Sequence, residues 1–253
     1  MNGFKNLTKI QKNAIPVILE NRNTLIKSET GSGKTLTYLV PLIEHLSYHS
    51  LNVEKIHRDT SGTMAIIFAP TRELAVQIDI ELRKLLKLFY YMVTNTLMGG
   101  ESPKKEKERL RKGCVILICT PGRLLYHLKN TQAFKLDKLQ YLIFDEADRI
   151  LDMGFEKEMN ECLDIIKSKS KHNFITDTVD EESGGQKNYW SNTIKVNLVS
   201  ATMSPSIDRL GAKLMRDDYA KVGFSEEHEV AKNLSPEQQE KAAIAEMIRS
   251  IPR

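Results

Sequence analysis

Residues 28–35 read Ser-Glu-Thr-Gly-Ser-Gly-Lys-Thr, and they constrain this chain more than any other stretch. A short apolar run, Thr24-Leu25-Ile26, precedes them, and a helical pattern over 36–46 follows. A glycine-rich turn between strand and helix points several backbone N–H groups at one place, and the positive end of the helix dipole adds to them. Such a turn binds phosphate. Thr30, Gly31, Ser32 and Gly33 supply the turn, Lys34 reaches the β- and γ-phosphates, and the Thr35 hydroxyl can ligate Mg²⁺. The pattern G-x-x-x-x-G-K-[ST] is met except at its first position, where Ser28 stands. A bare glycine-rich turn is the competing reading, so a second half of the site has to be sought elsewhere.

The surrounding pattern says where to look. Strand-like apolar runs fall at 24–26, 65–69, 93–97, 115–119, 139–144 and 195–200, with a last one at 220–224. Helical patterns cover 9–20, 34–48, 72–88, 104–111, 122–129, 156–167 and 204–215. Several strands are continuously apolar, as when helices cover both faces of a sheet. Alternating strands and helices predict an α/β fold with a mostly parallel, doubly wound sheet, whose ligands bind at the carboxyl ends of the strands.

The 253 residues suffice for one large α/β domain or two small ones. Residues 1–224 read as one lobe. Within it, 168–192 is a polar, weakly periodic insertion expected to be mobile, and its Trp190 either packs back or serves as a contact. Residues 225–253 read as a polar connector, with a helix start at Ser235-Pro236-Glu237.

A net charge of +4 is mildly basic, compatible with nucleic acid without arguing for it. Cys114, Cys119 and Cys162 are an odd set without metal spacing, and Cys114 and Cys119, which flank an apolar strand, read as core thiols of a reducing compartment. The six histidines are scattered, which argues against a zinc site. No apolar run is long enough to span a bilayer and no signal peptide stands at the start, so a soluble intracellular protein is expected.

The second half of the site lies at the end of the fifth strand. Tyr141-Leu142-Ile143-Phe144 runs into Asp145-Glu146-Ala147-Asp148. A buried strand delivers carboxylates to its carboxyl end: Asp145 to hold Mg²⁺ and Glu146 to orient and deprotonate the attacking water. The plain alternative is an acidic helix start.

Other strand ends carry Pro70-Thr71-Arg72, Gly99-Gly100, Thr120-Pro121-Gly122-Arg123 and Ser200-Ala201-Thr202. Thr71, Gly100, Thr120 and Gly122 offer backbone donors, and Arg72 and Arg123 add charge. On one rim they make a track for a phosphodiester backbone; taken singly, each is ordinary loop chemistry. Gln11 has the donor and acceptor needed to read an adenine edge, though a surface glutamine is more often inert.

Together these stretches resemble the DEAD-box ATP-dependent RNA helicases, whose name stands literally at Asp145-Glu146-Ala147-Asp148. The matches run in family order from Gly3-Phe4 and Gln11 to Ser200-Ala201-Thr202 and cover the chain to about Met215. The resemblance implies a three-layer RecA-like first lobe. It implies that Gln11 recognises adenine, and that Lys34, Thr35, Asp145 and Glu146 handle ATP and Mg²⁺. Ser200 and Thr202, with Asp148, would couple hydrolysis to RNA. Pro70, Thr71, Arg72, Gly99, Gly100, Thr120, Pro121, Gly122 and Arg123 would touch the RNA backbone. The family bends one strand locally rather than walking along the duplex.

There are departures. Leu7 and Lys9 replace prolines, the aromatic upstream of Gly3 is absent, and Ser28 replaces alanine. Nothing after Thr202 looks like a second lobe, and Ile251-Pro252-Arg253 resembles the entry to one, so the sequence is expected to be cut there. An arginine finger from that lobe is worth about 10³–10⁵ in rate. The chain alone is therefore expected to act as a monomer that binds Mg-nucleotide weakly, hydrolyses it slowly and does not unwind RNA. The stretch 97–113 resembles the nucleolar ribosome-biogenesis members. Two other readings remain: a different P-loop nucleic-acid motor, such as a DNA translocase, and a non-catalytic RecA-like scaffold.

Overall fold

The computed structural model describes residues 7–58, 60–170, 193–215 and 219–224. Those of 7–222 belong to one compact unit; a second unit comprises 223–253. Trp190, the helix start at Ser235 and the connector 225–253 lie outside the described residues.

Among the described residues seven strands form one sheet: β1 (Thr24–Lys27), β2 (Ala65–Phe68), β3 (Thr94–Leu97), β4 (Ile116–Cys119), β5 (Tyr141–Phe144), β6 (Lys195–Ser200) and β7 (Ala220–Val222). All neighbouring pairs are parallel, in the order β3-β4-β2-β5-β6-β1-β7. β2, β4 and β5 are buried at every position, which their unbroken apolar sequences require. Among the described residues eight helices pack around the sheet: α1 (Lys9–Leu19), α2 (Lys34–Asn52), α3 (Arg72–Leu85), α4 (Pro103–Lys112), α5 (Pro121–Asn130), α6 (Ala147–Asp152), α7 (Glu156–Lys169) and α8 (Pro205–Met215). Ile10, Ala14, Tyr38, Leu42, Ala75 and Ile78 from α1–α3 form one core with Ile26, Ile67, Ile118, Ile143 and Val199 of the strands. On the other face α8 comes close to β6. A Cβ added at Gly211 would meet Leu198 Cδ1 at 3.8 Å.

The strand order positions the site. β5, β6 and β1, which are adjacent, end in the acidic stretch, Ser200-Ala201-Thr202 and the lysine turn. β3, β4 and β2, adjacent in turn, end in Gly99-Gly100, Thr120-Pro121-Gly122-Arg123 and Pro70-Thr71-Arg72. β5 and β2 join the two groups in register, Phe68 opposite Phe144, with ring centroids 4.6 Å apart.

Three expectations change. The predicted helix 72–88 closes as α-helix at Leu85 and ends in a 3-10 turn, Leu86–Leu88. The helix α6, too short for a periodic signal, follows the acids directly, so the strand end and the acidic helix start are both real. Residues 168 and 169, assigned to the insertion, continue α7; residues 171–192 are outside the described set.

Candidate nucleotide and nucleic-acid site

Gly33 caps α2 in the left-handed region at φ +85°, and Gly31 lies there too, at φ +78°. The turn is braced inside: Ser28 Oγ and Ser32 Oγ are 2.5 Å apart, and the Ser32 hydroxyl donates to the Glu29 carbonyl at 2.7 Å. Lys34 follows in the first turn of α2, only 6% exposed. Its Nζ lies 3.4 Å from Glu146 Oε1 and 3.7 Å from Asp145 Oδ1. The lysine turn and the acidic pair, 112 residues apart, therefore meet.

Asp145 is fully buried. Burial pushes its carboxyl above the usual range, while the Lys34 ammonium and the hydrogen bond from Tyr38 oppose that rise. Tyr38 Oη donates to Asp145 Oδ2 at 2.8 Å and itself interacts with the Thr35 hydroxyl. Thr35 and Asp145 thus share a hydrogen-bonded neighbour. Among the described residues no three His, Cys, Asp or Glu side chains gather where a metal could sit. One carboxylate and one hydroxyl, both hard oxygen donors, suit Mg²⁺ that takes its remaining ligands from phosphates and water.

Glu146 adopts φ +51° and ψ +52°, left-handed for a residue with a Cβ. Its N–H donates to Asp145 Oδ1 at 3.0 Å, and its Oε2 receives Arg149 Nη1 at 3.3 Å. Asp148 Oδ2 accepts from both the N–H and the hydroxyl of Thr202, at 2.9 and 2.8 Å. Partial burial works against this carboxylate, but the Thr202 donors and the Arg149 N–H hold it below its ordinary range. The Ser200 hydroxyl donates to the Thr202 carbonyl at 2.7 Å, and the Ser28 N–H to the Ser200 carbonyl at 2.9 Å.

Gln11 is buried rather than on the surface. Its side-chain oxygen accepts from the Thr8 N–H at 3.0 Å, completing a capping box, and its amide donates to the Gly33 carbonyl at 3.0 Å. One donor and one acceptor of the amide are thereby committed within the protein. The remaining pair is what an adenine edge would have to use.

On the other half of the rim, Gly99 and Gly100 have φ of +74° and +86°, and Cβ atoms there would stand 3.1 Å from the Arg72 guanidinium. Thr71 caps α3, its hydroxyl accepting from the Leu74 N–H at 3.3 Å. Thr120 does not offer its backbone donor as expected: that N–H bonds the Leu97 carbonyl at 3.0 Å. Pro121 has none. Gly122 and Arg123, in the first turn of α5, keep N–H groups with no helical acceptor. The Arg123 side chain turns inward to Glu106.

The protein-family model for DEAD/DEAH box helicases matches residues 8–210. The chain belongs to the DEAD/DEAH box helicase family. It is 46% identical to the human "ATP-dependent DNA helicase DDX31" over 66% of this chain and 19% of that protein. It is 38% identical to "DEAD-box ATP-dependent RNA helicase 17" of Oryza sativa subsp. japonica over 90% of this chain and 36% of that protein. Among solved structures, the RNA-helicase Prp28 from Chaetomium thermophilum bound to ADP superposes with a TM-score of 0.65 at 30% identity. That match covers 88% of this chain and 46% of the other. The chain thus spans a minor part of the curated relatives it matches. The family's RecA-like lobe is the fold seen here: seven parallel strands between two helical layers.

In this DEAD/DEAH box lobe, several residues that sequence reasoning passed over stand at the site. Tyr38 is four residues after Lys34 on the same helix face, a spacing that could have found it. Arg149 is three after Glu146 on α6. Thr8 shows only through the capping box, and Glu106 carried no local signal.

Proposed function

We propose that this chain is the nucleotide-binding lobe of an ATP-dependent helicase that remodels RNA, with Mg²⁺ as the metal. The observation that carries the reading is the meeting of Lys34 with Asp145 and Glu146, with Thr35 tied to the same cluster through Tyr38. Lys34 holds the outer phosphates, Asp145 and Thr35 hold the metal, and Glu146 takes the proton of the attacking water. Bound Mg²⁺ would neutralise phosphate charge as it develops. Thr30, Gly31, Ser32 and Gly33 cradle the phosphates, and Gln11 and the adenine edge meet beyond Gly33. Ser200 and Thr202 act through Asp148 as the link between hydrolysis and RNA. Pro70, Thr71, Arg72, Gly99, Gly100, Thr120, Pro121 and Gly122 line the RNA side.

Relatives named as DNA and as RNA helicases both match, so the choice of RNA is ours. It is supported by the stretches Thr120-Pro121-Gly122-Arg123 and Pro70-Thr71-Arg72-Glu73-Leu74 and by Gln11. A second RecA-like lobe of the same protein completes the groove, with 225–253 leading toward it, and the working unit is a monomer. The resemblance of 97–113 favours a nucleolar setting.

The test is titration with a fluorescent Mg-nucleotide, then with matched RNA and DNA oligonucleotides. Weak Mg-dependent binding that falls at least tenfold in Lys34→Ala, with RNA preferred, is the expected result. Nucleotide affinity untouched by Lys34→Ala would favour the scaffold reading, and equal response to DNA would favour a general nucleic-acid motor. By themselves these 253 residues should turn over far below one ATP per second.

A further inference from the structure

Arg123 has the position of a phosphate contact but not the surroundings of one. Its Nε donates to Glu106 Oε2 at 2.5 Å, its Nη2 donates to the Glu101 carbonyl at 3.2 Å, and its guanidinium stands 5.1 Å from the centre of the Tyr126 ring. Glu106, on α4, is 1% exposed. The same Oε2 lies 2.9 Å from His127 Nε2, whose Nδ1 lies 2.9 Å from the Thr131 hydroxyl. A carboxylate only accepts, so Nε2 carries a proton and donates to Glu106, and the contact of Nδ1 with Thr131 closes the chain. Thr131, His127 and Glu106 have the order of a nucleophile, base and acid. All three are sealed from solvent, so no substrate reaches them.

The network joins two loops. Glu101 follows Gly99-Gly100 at the end of β3, and Arg123 opens α5 at the end of β4. Arg109, one turn beyond Glu106 on α4, donates to Asn95 Oδ1 at 2.9 Å and the Thr96 carbonyl at 3.3 Å, and pairs with Glu101. α4 therefore grips β3 and its loop with one side chain and the start of α5 with another. The glycines between have no side chains with which to hold the loop themselves.

We propose that Glu106 and His127 are positioning residues. Through Arg123 they lock loops 99–102 and 120–123 into one rigid unit, so that the backbone N–H groups of that unit and Arg72, rather than the Arg123 guanidinium, meet the phosphates of a bound strand. The proposal rests on the reading that this rim carries nucleic acid.

The test has two arms. In the first, amide hydrogen exchange is followed without nucleic acid. Glu106→Gln should speed exchange in both loops together; unchanged exchange in either loop overturns the latch. In the second, a labelled single-stranded RNA is titrated at several salt concentrations. Arg123→Ala, Arg123→Lys and Glu106→Gln should each weaken binding about tenfold, and Arg123→Ala with Glu106→Gln should do no more than either alone. The slope of log affinity on log salt should stay as in the wild type, whereas Arg72→Ala should lower it by about 0.7. Arg123→Lys cannot bridge Glu106 and the Glu101 carbonyl but keeps the charge. Wild-type affinity in Arg123→Lys, with a slope reduced by about 0.7 in Arg123→Ala, makes Arg123 a direct phosphate contact and overturns the proposal. Exchange that responds as expected in a wild-type chain that binds no RNA overturns the nucleic-acid reading of the rim, and the positioning role with it.

Discussion

At the scale of single residues, the acidic cluster is held in a state that costs something and is kept for its geometry. Glu146 occupies the left-handed region, about 1–2 kcal/mol unfavourable for a residue with a Cβ. Glu146→Gly should therefore be more stable than Glu146→Ala by roughly that amount in urea unfolding, since both lose the carboxylate and only glycine sheds the strain. Tyr38→Phe removes the donor to Asp145 Oδ2. A loss of about 1–3 kcal/mol is expected, read as a lower midpoint in thermal denaturation. Asp148 sets a pH dependence. Its folded pKa lies below the reference 3.8, so folding favours the ionised form. The stability it adds is present above that reference value and is lost as pH falls through the folded value. The stability gap between wild type and Asp148→Asn should narrow as pH drops from about 5 to about 3, and a constant gap would show that the Thr202 contacts do not act through charge.

At the scale of elements, α1 does more than cover the sheet. Its capping box places Gln11 against the carbonyl of Gly33, and a Cβ there would stand 2.7 Å from Gln11 Nε2. The start of α1 and the phosphate turn are one construction, and Thr8→Ala should cost about 1 kcal/mol and loosen nucleotide binding as well. Gly122 gives the converse case. Nothing lies within 4 Å of a Cβ added there, and its backbone angle is ordinary. Gly122→Ala should keep or slightly raise the melting temperature yet weaken RNA binding, because the open space is where a phosphate would approach the N–H. Unchanged RNA affinity would remove Gly122 from the interface.

The elements also show what could be read from the residues alone. Continuous apolar runs such as those of β2, β4 and β5 announce themselves, and so does a lysine turn after a strand. Six-residue α6 does not, because fewer than two turns leave no period to detect. The site's charged ends were legible because their chemistry demands particular residue types. The Thr120 N–H was misjudged, and the pairing of Arg123 with Glu106 was not foreseen, for one reason: a sequence shows which groups can donate, but only the packed structure shows which already have acceptors.

At the scale of the whole molecule, strand order divides the rim between nucleotide chemistry and the proposed RNA track, with the β5–β2 seam between them. Phe68 and Phe144 stack across that seam, their planes 3° apart. Phe68→Leu should leave the nucleotide end folded while reducing any change in nucleotide affinity that RNA produces, measured as the ratio of dissociation constants with and without RNA. An unaltered ratio would place the coupling elsewhere.

The neighbours of β1 have a further consequence. Among the described residues it pairs with β6 and β7, which begin at positions 195 and 220. On a ribosome the chain emerges from its amino end, so the lysine turn leaves the exit tunnel well before the strands that flank it exist. A nascent chain halted between the turn and position 195 therefore carries the whole turn, and Gln11 beside it, without either of the strands that will flank β1.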